Sequence, residues 1–542
     1  MRKYYLILLS VLFFILHAYS ASVEGKDKIT VKQITGTVFH DSNKNGKIDR
    51  GEKRLRGILV SNGDTIVVTD KHGRYQLPVI AGGSVMPILP ADYTLTGSKL
   101  INANFYYLGD RQEDNPTVDF PMQRKKVNNR FLLNALGDVQ VGNYQELDYA
   151  TRTLWPELLK SSTPTLNLFL GDLVNNNVSL YQDIRSLIEQ LPDPSWTVLG
   201  NHDRDVDSVR WRQYRSFGEM FGADMYAFNE GKVHFIVLNN VYGQGSRGYE
   251  TFLSERQLNF VRQDLKYVPQ DHLIVLSMHI PFALTKNRQD LLHLLKGRGH
   301  VLALTGHLHQ VRRFFQQGDG VSVHELGAGA ACGFWWVGEK DGEGIPAALQ
   351  QEGTPRNYFV VEFNNNSYQF RCKAIGQDPQ KQMTIHVTGI DTLDTHLRDL
   401  KDIPPATLML TIYGGCDSTE VRCRLDNGEW MVCKKTNLVD PNVARTREQN
   451  LQKIFPTPYN RTNPLRKRES HQLWTLELPD DYRKGAHVVE VEAHDSYGFS
   501  ATGTRSFCFD PKKLTSFYLF FCRDWGYSTF GIRYIPREIL SL

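Results

Sequence analysis

Five short motifs in the central part of the 542-residue chain carry acids, amides and imidazoles. Each follows or ends an apolar run with the composition of a buried strand. Ligands of open α/β sheets bind at the carboxyl ends of strands, so we expect these side chains to converge at one edge. One site explains the pattern better than five unrelated turns. The motifs are Gly137-Asp138-Val139-Gln140, Gly171-Asp172-Leu173-Val174-Asn175, Gly200-Asn201-His202-Asp203, His279-Ile280-Pro281 and Gly306-His307-Leu308-His309.

This set of ligand types suits particular metals. Carboxylates, carboxamide oxygens and neutral imidazoles together favour borderline divalent ions such as manganese, iron or zinc. Two such ions about 3.5–4 Å apart clamp a phosphoryl group and supply a metal-bound hydroxide. Four of the motifs begin with glycine, which lets the backbone turn sharply off a strand so that short side chains reach one point. The motifs therefore indicate a dinuclear metal centre.

Apolar strands alternate with amphipathic segments around these motifs. Ser254 has the position of a helix N-cap, and Leu258, Val261 and Leu265 follow on one helical face. The alternation predicts an α/β domain, which we place at residues 128–370. The expected buried strands are Phe131–Leu136, Leu166–Leu170, Trp196–Leu199, Phe235–Leu238, Leu273–Met278 and Val301–Thr305.

β-rich segments flank this domain on both sides. Short strand-like runs between Gly, Asn and Asp turns predict an N-terminal β-sandwich over residues 24–125. A similar texture over residues 373–510 predicts a C-terminal β-sandwich of immunoglobulin-like or fibronectin-like type. The two flanking sandwiches would serve either attachment to a substrate or surface, or structural support. Support is the favoured interpretation, because fold analogy alone assigns no function. The sequence pattern does not indicate which structure the aromatic-rich tail, residues 511–542, adopts.

A loop in the N-terminal segment has oxygen-bearing side chains at the spacing of a calcium loop. Gly46 lies where such a loop turns sharply, and no flanking helices are expected, so the loop would join strands. An Asx-rich turn without an ion explains the same residues equally well. The candidate calcium ligands are Asp41, Asn43, Asn45, Asp49 and Glu52.

The first twenty residues have the composition of a cleavable secretory signal. Arg2 and Lys3 precede an apolar run, Tyr4–Leu16, which small residues follow. This run is shorter than the ~20 residues that span a bilayer, and no other stretch qualifies. We expect residues 1–20 to be removed and the mature protein to lie in the periplasm, on the cell surface or outside the cell, without a transmembrane segment.

The net charge bears on whether the protein binds nucleic acid, and the cysteines bear on possible disulfides. The formal net charge is +4, and removal of Arg2 and Lys3 leaves a nearly balanced chain, so no nucleic-acid partner is expected. All seven cysteines lie from Cys332 onward, at spacings unlike those of a zinc ribbon. An oxidising compartment would allow one or two disulfides, with at least one thiol left over. The sequence does not indicate the oligomeric state.

The ordered motifs resemble those of calcineurin-like metallophosphoesterases from about Phe131 to His309, in particular exported bacterial members with β-rich domains at both ends. The resemblance implies a central α/β/β/α sandwich and a phosphate-ester substrate. It implies that Asp172 bridges two ions and that His202 stabilises the transition state or protonates the leaving oxygen. The implied first-metal ligands are Asp138, Asp172 and His309 with Gln140 beside them, and the implied second-metal ligands are Asp172, Asn201, His279 and His307.

Two positions depart from the commonest family pattern. Gln140 stands where a histidine is usual, which replaces an imidazole by at most an amide oxygen and would weaken or re-tune the first metal site. Asn175 stands where phosphoprotein phosphatases carry an acid that orients the histidine matching His202. That difference argues against a phosphoprotein phosphatase. We group Asn175 and Asp203 as residues beside the ligands.

A glycine-rich segment with two tryptophans, Trp335 and Trp336, resembles the region that follows the last motif in those exported members. Small residues let the backbone approach a ligand, and a tryptophan stacks on one. We expect Trp335 to pack in the core and Trp336 to form a wall for the substrate. His324 is expected to be a packed structural histidine within a strand.

The sequence supports three functions to different degrees. The favoured one is hydrolysis of a phosphomonoester or phosphodiester outside the cytoplasm. A second is a non-catalytic surface or glycan-binding protein on a relic phosphoesterase scaffold, although relics lose ligands first and the motif ligands are present here. A third is a nucleotidase-like enzyme, which the plain sandwich after Cys372 disfavours because such enzymes tend to carry a dedicated nucleotide-binding domain there.

Overall fold

The computed structural model describes residues 32–109, 115–160, 165–206, 208, 212–244, 248–390, 397–452 and 465–510. The predicted signal peptide, the start of the N-terminal segment and the aromatic-rich tail lie outside these ranges. The sheets fall into three groups along the chain, so the multidomain prediction is confirmed. No helix within the described ranges is long and apolar enough to cross a membrane.

The N-terminal group contains two four-stranded sheets, ordered β4-β1-β8-β6 and β3-β2-β5-β7. Alternate residues of the first strand, such as Ile34 and Val38, are fully buried, as expected for strands with one face in a core. The prediction of a β-rich N-terminal domain is therefore confirmed. Its strands are β1 Gln33–His40, β2 Leu59–Ser61, β3 Ile66–Val68, β4 Arg74–Pro78, β5 Ser84–Ile88, β6 Tyr93–Leu95, β7 Tyr106–Tyr107 and β8 Phe120–Arg124.

The central group contains a five-stranded sheet, β11-β10-β9-β20-β21, a six-stranded sheet, β12-β13-β16-β17-β19-β18, and a small hairpin, β14-β15. Its strands are β9 Arg130–Leu136, β10 Thr165–Phe169, β11 Ser195–Thr197, β12 Tyr226–Glu230, β13 Val233–Val237, β14 Val241–Gln244, β15 Gly248–Thr251, β16 Leu273–Ser277, β17 His300–Thr305, β18 Arg312–Gly318, β19 Val321–Gly327, β20 Asn357–Asn364 and β21 Ser367–Ala374.

Parallel pairing brings the motif-bearing strand ends together. In the first sheet β9, β10 and β11 run parallel, and in the second β16 runs parallel to β17. Strands β10 and β16 are buried along their whole length, which is typical of parallel strands covered on both faces. The six predicted strands of this domain all occur, with their ends shifted by no more than two residues.

Helices cover the outer faces of both sheets. Helix α5 begins at the predicted cap, where the Ser254 side chain accepts a hydrogen bond from the Gln257 backbone N–H. Helices α1 to α3 pack with Phe169 of the first sheet, whereas α5 and α6 pack with the second sheet. The helices of this domain are α1 Tyr144–Thr153, α2 Trp155–Leu158, α3 Tyr181–Glu189, α4 Arg215–Phe221, α5 Glu255–Asp264 and α6 Arg288–Leu294.

The C-terminal group contains two four-stranded sheets, ordered β22-β23-β27-β26 and β25-β24-β28-β29. It also contains helix α7, Pro441–Leu451, which the sequence analysis did not predict. The strands are β22 Met383–Val387, β23 Thr407–Ile412, β24 Glu420–Leu425, β25 Met431–Val432, β26 Lys434–Lys435, β27 Leu473–Glu477, β28 Gly485–His494 and β29 Ser500–Phe509.

The expected division at residues 370–373 falls inside strand β21, Ser367–Ala374. This strand pairs with β20 over its full length, so the central sheet extends to Ala374. None of the six cysteines that the structure describes forms a disulfide.

A buried ion pair joins the central and C-terminal domains. Arg313 of β18 donates to Asp495, with Nη1 2.6 Å from Oδ2, and both side chains are fully buried. The guanidinium also lies within 6.0 Å of the ring centres of Phe370 and Phe499. The two domains are therefore held by a desolvated contact in which each charge depends on the other.

Replacing Asp495 by alanine should destabilise the protein by about 3 kcal/mol, because it leaves the Arg313 charge buried without a partner. Chemical denaturation measures this loss. The matched control is Glu492→Ala, which breaks an exposed pair with Arg422 and should cost less than about 1 kcal/mol. Equal losses in both variants would contradict the account of the domain contact.

Candidate metal centre

The predicted site residues occupy the ends of strands in both central sheets. Asp138 and Gln140 follow β9, Asp172 follows β10, and Asn201 lies four residues beyond β11. From the facing sheet, His279 follows β16, and His307 and His309 follow β17. All seven predicted metal ligands thus lie in one region, beyond the carboxyl ends of strands from both sheets.

Five of these ligands have a backbone conformation that side chains other than glycine rarely adopt. Each such residue costs about 1–3 kcal/mol, and such strain collects at functional sites. Strained backbone at successive motifs therefore indicates that this conformation is kept because it directs the side chains toward one site. The φ values are 37° at Asp138, 44° at Gln140, 50° at Asp172, 75° at His307 and 51° at His309.

The glycines before the ligands work differently from the prediction. Only Gly171 has a left-handed φ, at 91°. A Cβ at Gly200 would lie 2.2 Å from Asp172 Oδ1, and one at Gly306 would lie 2.8 Å from Asp138 Oδ2. Glycine is therefore needed for space at these two positions, whereas the residue after Gly306 makes the sharp turn. The expectation that all four glycines turn the chain was wrong.

The second-metal group is the tighter of the two. The donor atoms of Asp172, His279 and His307 lie within 4.8 Å of one another. His279 Nε2 lies 3.2 Å from Asp172 Oδ2 and 3.0 Å from Asn201 Oδ1. The other ring nitrogen of His279 lies 2.8 Å from the Leu170 carbonyl oxygen, so Nδ1 carries the proton and Nε2 is available as a ligand.

The first-metal group has the same construction. His309 Nε2 lies 3.5 Å from Asp138 Oδ1, while its Nδ1 lies 2.9 Å from the Gly333 carbonyl oxygen. Gln140 donates from Nε2 to Asp172 Oδ2 across 3.3 Å. Asp172 therefore contacts residues of both groups. The Cys332 thiol lies behind this group, 3.8 Å from Gln140 Oε1.

His202 lies beside the ligands. Its backbone N–H donates to Asp172 Oδ1 across 2.7 Å. Its ring nitrogen Nδ1 is buried and has no hydrogen-bond partner among the described residues, and its ring meets the Trp335 ring edge-on at 5.8 Å. Burial lowers the pKa of His202 below its ordinary value. The side chain thus presents an unsatisfied polar atom next to the carboxylate that links the two groups.

The two residues expected beside the ligands have structural contacts. Asp203 accepts hydrogen bonds from the backbone N–H groups of Leu173, Val174 and Gly200, which ties two motif loops together. Burial and the nearby Asp172 raise the pKa of Asp203 to about 7. The Asn175 side chain accepts from the Asn176 amide, and within the described part of the chain it makes no hydrogen bond to His202.

The site opens into a cavity of about 900 Å³. Several lining residues were missed by the sequence analysis, namely Asn176, Arg204, Val206, Tyr249 and Phe334. Tyr249 comes from the β14–β15 hairpin, and its hydroxyl oxygen lies 3.2 Å from His307 Nε2. The cavity combines a polar floor of predicted ligands with an aromatic rim.

Comparison with family models decides which family this site belongs to. The model of the calcineurin-like phosphoesterase domain matches residues 133–311, the N-terminal domain model of calcineurin-like phosphoesterases matches residues 42–125, and the corresponding C-terminal model matches residues 325–500. Together they match well over half of the chain. The chain belongs to the calcineurin-like phosphoesterase family. The resemblance to calcineurin-like phosphoesterases that was inferred from the motifs is therefore confirmed.

Solved structures similar to this phosphoesterase are distant. One is a purple acid phosphatase from yellow lupin (Lupinus luteus) seeds, with 11% identity and a TM-score of 0.31, matched over 58% of this chain and 66% of that one, just under two thirds. Another is Vps29 of Chaetomium thermophilum, with 13% identity and a TM-score of 0.21, matched over 56% of this chain and 95% of that one. No curated protein matches the chain.

The electrostatics of the phosphoesterase site suit a cation. Burial lowers the pKa of His279, but Asp172 outweighs burial and raises it to about 9. Burial alone would raise the pKa of Asp172, and His279 and His202 hold it below its usual value instead. Burial and the neighbouring His279 lower the pKa of His307 to about 4. His307 is thus neutral near pH 7. Without an ion, His279 takes a second proton at Nε2, which faces Asp172; a divalent ion bound there would displace this proton and supply the positive charge instead.

The predicted roles of the two tryptophans are reversed. Trp336 is only 3% exposed, donates from Nε1 to the Val139 carbonyl and stacks under Arg356 at 5.0 Å. Trp335 lines the cavity, with its ring 4.9 Å from that of His309. Both residues have a left-handed φ, so the direction of each side chain does not follow from the sequence pattern. Trp335 therefore lines the cavity and Trp336 does not, so the expectation that Trp336 forms a wall of the site was wrong.

Alanine substitutions separate these two roles. Trp336→Ala should lower the free energy of unfolding by about 3 kcal/mol, because it empties a packed core position. Trp335→Ala should raise KM for an aryl phosphate while changing stability by less than about 1 kcal/mol, because its ring faces the cavity. Denaturation curves and steady-state kinetics measure the two effects. A Trp335→Ala variant as unstable as Trp336→Ala would contradict this assignment.

The predicted calcium loop folds back on itself. Asp41 is fully buried and accepts hydrogen bonds from two backbone N–H groups of the loop. The amides of Asn43 and Asn45 both donate to Asp49 Oδ2, and Glu52 accepts from the Asp49 backbone N–H. The five side chains are gathered in one loop, as either a calcium site or an Asx-rich turn requires.

Proposed function

We propose that this phosphoesterase hydrolyses a phosphomonoester or phosphodiester outside the cytoplasm, with two divalent ions of manganese, iron or zinc. The observation that carries the proposal is the left-handed backbone at five predicted ligands, around a donor cluster of Asp172, His279 and His307. Such strain is retained where the aim of a side chain matters more than stability. The donor set of carboxylate, amide and imidazole groups fits these metals.

Each predicted ligand has a place in the proposal. Asp138 and His309 would hold the first ion, with Gln140 beside it. Asn201, His279 and His307 would hold the second ion, and Asp172 would contact both. Ions bound there would act as Lewis acids toward the phosphoryl oxygens and lower the pKa of bound water.

The chain's own groups orient this chemistry. The Leu170 and Gly333 carbonyl oxygens fix the tautomers of His279 and His309, so that each Nε2 is aimed into the site. The His202 backbone N–H holds one oxygen of Asp172, which leaves the other for the ligand groups. The His202 ring is placed to stabilise developing charge or to protonate the leaving oxygen.

Turnover of p-nitrophenyl phosphate and bis-p-nitrophenyl phosphate by the purified mature chain tests the proposal. The metal-stripped protein should be inactive, and manganese, zinc or iron should restore hydrolysis of at least one ester. Absence of turnover with every metal would overturn it and favour a non-catalytic surface or glycan-binding protein.

Export is part of the proposal. Its support is the basic start, Arg2 and Lys3, before a short apolar run. N-terminal sequencing of the protein recovered from outside the cytoplasm should show that about twenty residues are missing. An intact N-terminus on the folded protein would contradict export by this route.

We further propose an immunoglobulin-like topology for the C-terminal sheets. The proposal is supported by their strand order, β22-β23-β27-β26 and β25-β24-β28-β29. Named A to G in chain order, with β25 as C′, these are the A-B-E-D and C′-C-F-G arrangements of that fold. An experimental structure with a different strand order would contradict it.

Calcium binding by the loop from Asp41 to Glu52 is a separate proposal. Its support is the gathering of five oxygen-bearing side chains around a buried aspartate. Calcium added to EDTA-treated protein should raise the melting temperature. The rise should vanish in Asp41→Ala and persist in His307→Ala, which alters the other site. No rise in the unaltered chain would identify the loop as an Asx-rich turn.

A further inference from the structure

A buried arginine forms part of the cavity wall beside the second-metal group. Arg204 is only 3% exposed and donates from Nε to the Asn201 carbonyl across 2.8 Å. Its Nη1 donates to Gln213 Oε1 at 3.0 Å and to the Gly248 carbonyl at 3.3 Å. A Cβ at Gly243 would lie 2.1 Å from Nη1, so the hairpin has glycine where the guanidinium needs room. These contacts fix the guanidinium in one position.

Within the described part of the chain this guanidinium has no counter-charge. Arg204 forms no ion pair there, and its Nη2 donates to no described residue. Burial lowers its pKa below the ordinary value, which reflects the cost of a desolvated charge. Buried charges in proteins are ordinarily paired, as Arg313 is with Asp495. A buried cation with free donors at a cavity wall is therefore suited to an anion that arrives with the substrate.

Tyr249 connects this arginine to the metal ligands. Its ring lies 5.8 Å from the Arg204 guanidinium, and its hydroxyl oxygen lies 3.2 Å from His307 Nε2. Arg204 itself is bonded to the backbone of Asn201, a second predicted ligand of the same metal. The unpaired positive charge is thus next to the place where the phosphoryl group would sit, on the side of Asn201 and His307.

We propose that Arg204 is a specificity-determining residue that selects dianionic phosphomonoesters over monoanionic phosphodiesters. This inference rests on the proposed phosphoesterase function. Two divalent ions with Asp138 and Asp172 leave a positive centre, and Arg204 adds a further positive charge. A phosphomonoester near neutral pH carries almost two negative charges, because its second pKa is about 6. A diester has one and leaves the buried guanidinium uncompensated, besides bringing a second substituent toward the same wall.

The test compares kcat/KM for p-nitrophenyl phosphate and bis-p-nitrophenyl phosphate in the full mature chain loaded with manganese. In Arg204→Gln the monoester-to-diester ratio should fall by about 10- to 100-fold, the usual effect of a hydrogen bond to a charged group. Arg204→Lys, which keeps the charge, should recover part of the ratio. The matched control is Arg262→Gln on the exposed face of α5, which should leave the ratio unchanged.

Calorimetry supplies a readout that does not depend on turnover. Inorganic phosphate should bind the manganese-loaded Arg204→Gln variant about 10-fold or more weakly than the unaltered protein, whereas dimethyl phosphate should lose less affinity. Manganese content should be the same in both proteins. An unchanged ester ratio, or equal losses for both esters together with loss of manganese, would overturn the inference and make Arg204 a structural residue. Turnover of neither ester by the unaltered chain would instead overturn the proposed function.

Discussion

Asp172→Asn should lower turnover of either ester at least about a thousandfold and should leave the chain unable to hold both metal ions. The Asp172 carboxylate contacts side chains of both ligand groups, His279 on one side and Gln140 on the other. An amide keeps the shape but removes the negative charge that two cations need. Loss of a catalytic metal removes several kcal/mol of transition-state stabilisation, and each 1.4 kcal/mol is about tenfold in rate.

The measurements are kcat/KM and metal content by elemental analysis on the same sample. Asp148→Asn, on the exposed face of α1, is the matched control and should change neither. Full turnover in Asp172→Asn with two ions still bound would remove Asp172 from the centre and contradict the bridging role.

His202→Ala should lower kcat by about 10²- to 10⁴-fold while both metal ions remain bound, as expected for loss of a group that transfers a proton in the transition state. Among the described residues the buried Nδ1 of the ring has no hydrogen-bond partner, and the bond to Asp172 comes from the His202 backbone N–H, which alanine keeps. The substitution should therefore lower kcat strongly and leave metal binding almost unchanged.

Leaving groups of different basicity separate this role from a merely structural one. The nitrophenolate leaving group needs little protonation. The loss of kcat in His202→Ala should therefore be smaller for p-nitrophenyl phosphate than for an alkyl phosphate. Equal losses for both substrates, or loss of metal from His202→Ala, would contradict the assignment of His202 as a proton donor.

Strand-end chemistry is the part of this protein that its sequence predicts well. Apolar composition marks β9, β10, β16 and β17, and a polar side chain follows two or three residues after the end of each strand. Parallel pairing then brings Asp138 beside Asp172 without any further assumption. The sequence also predicts the Ser254 cap, because a local hydrogen bond decides it. Local signals and strand ends are thus sufficient to predict that the motifs meet at one edge.

The cavity wall is less accessible to sequence reasoning, because it depends on backbone turns and on distant segments. Trp335 and Trp336 exchange roles through left-handed φ values that no periodicity reveals. Tyr249 reaches His307 from a hairpin more than fifty residues away. Arg204 had an available signal, since it lies two residues after His202, but its burial without a counter-charge appears only in three dimensions.

Helix α7 was missed although its start carried a recognisable signal. Asp440 caps it by accepting hydrogen bonds from the Asn442 and Val443 backbone N–H groups, and Pro441 occupies the first helical position. The expectation of an all-β segment outweighed this local evidence. The central boundary was misplaced for a related reason, since β20 and β21 form a hairpin across Asn365 and Asn366, a local pairing that the sequence analysis did not use.

The most direct test of the account is the number of manganese, iron or zinc ions that the purified mature chain binds at saturation, counted by elemental analysis after dialysis. We predict two ions per chain, held by groups that share Asp172. One ion or none per chain would contradict a dinuclear centre at the ends of these strands.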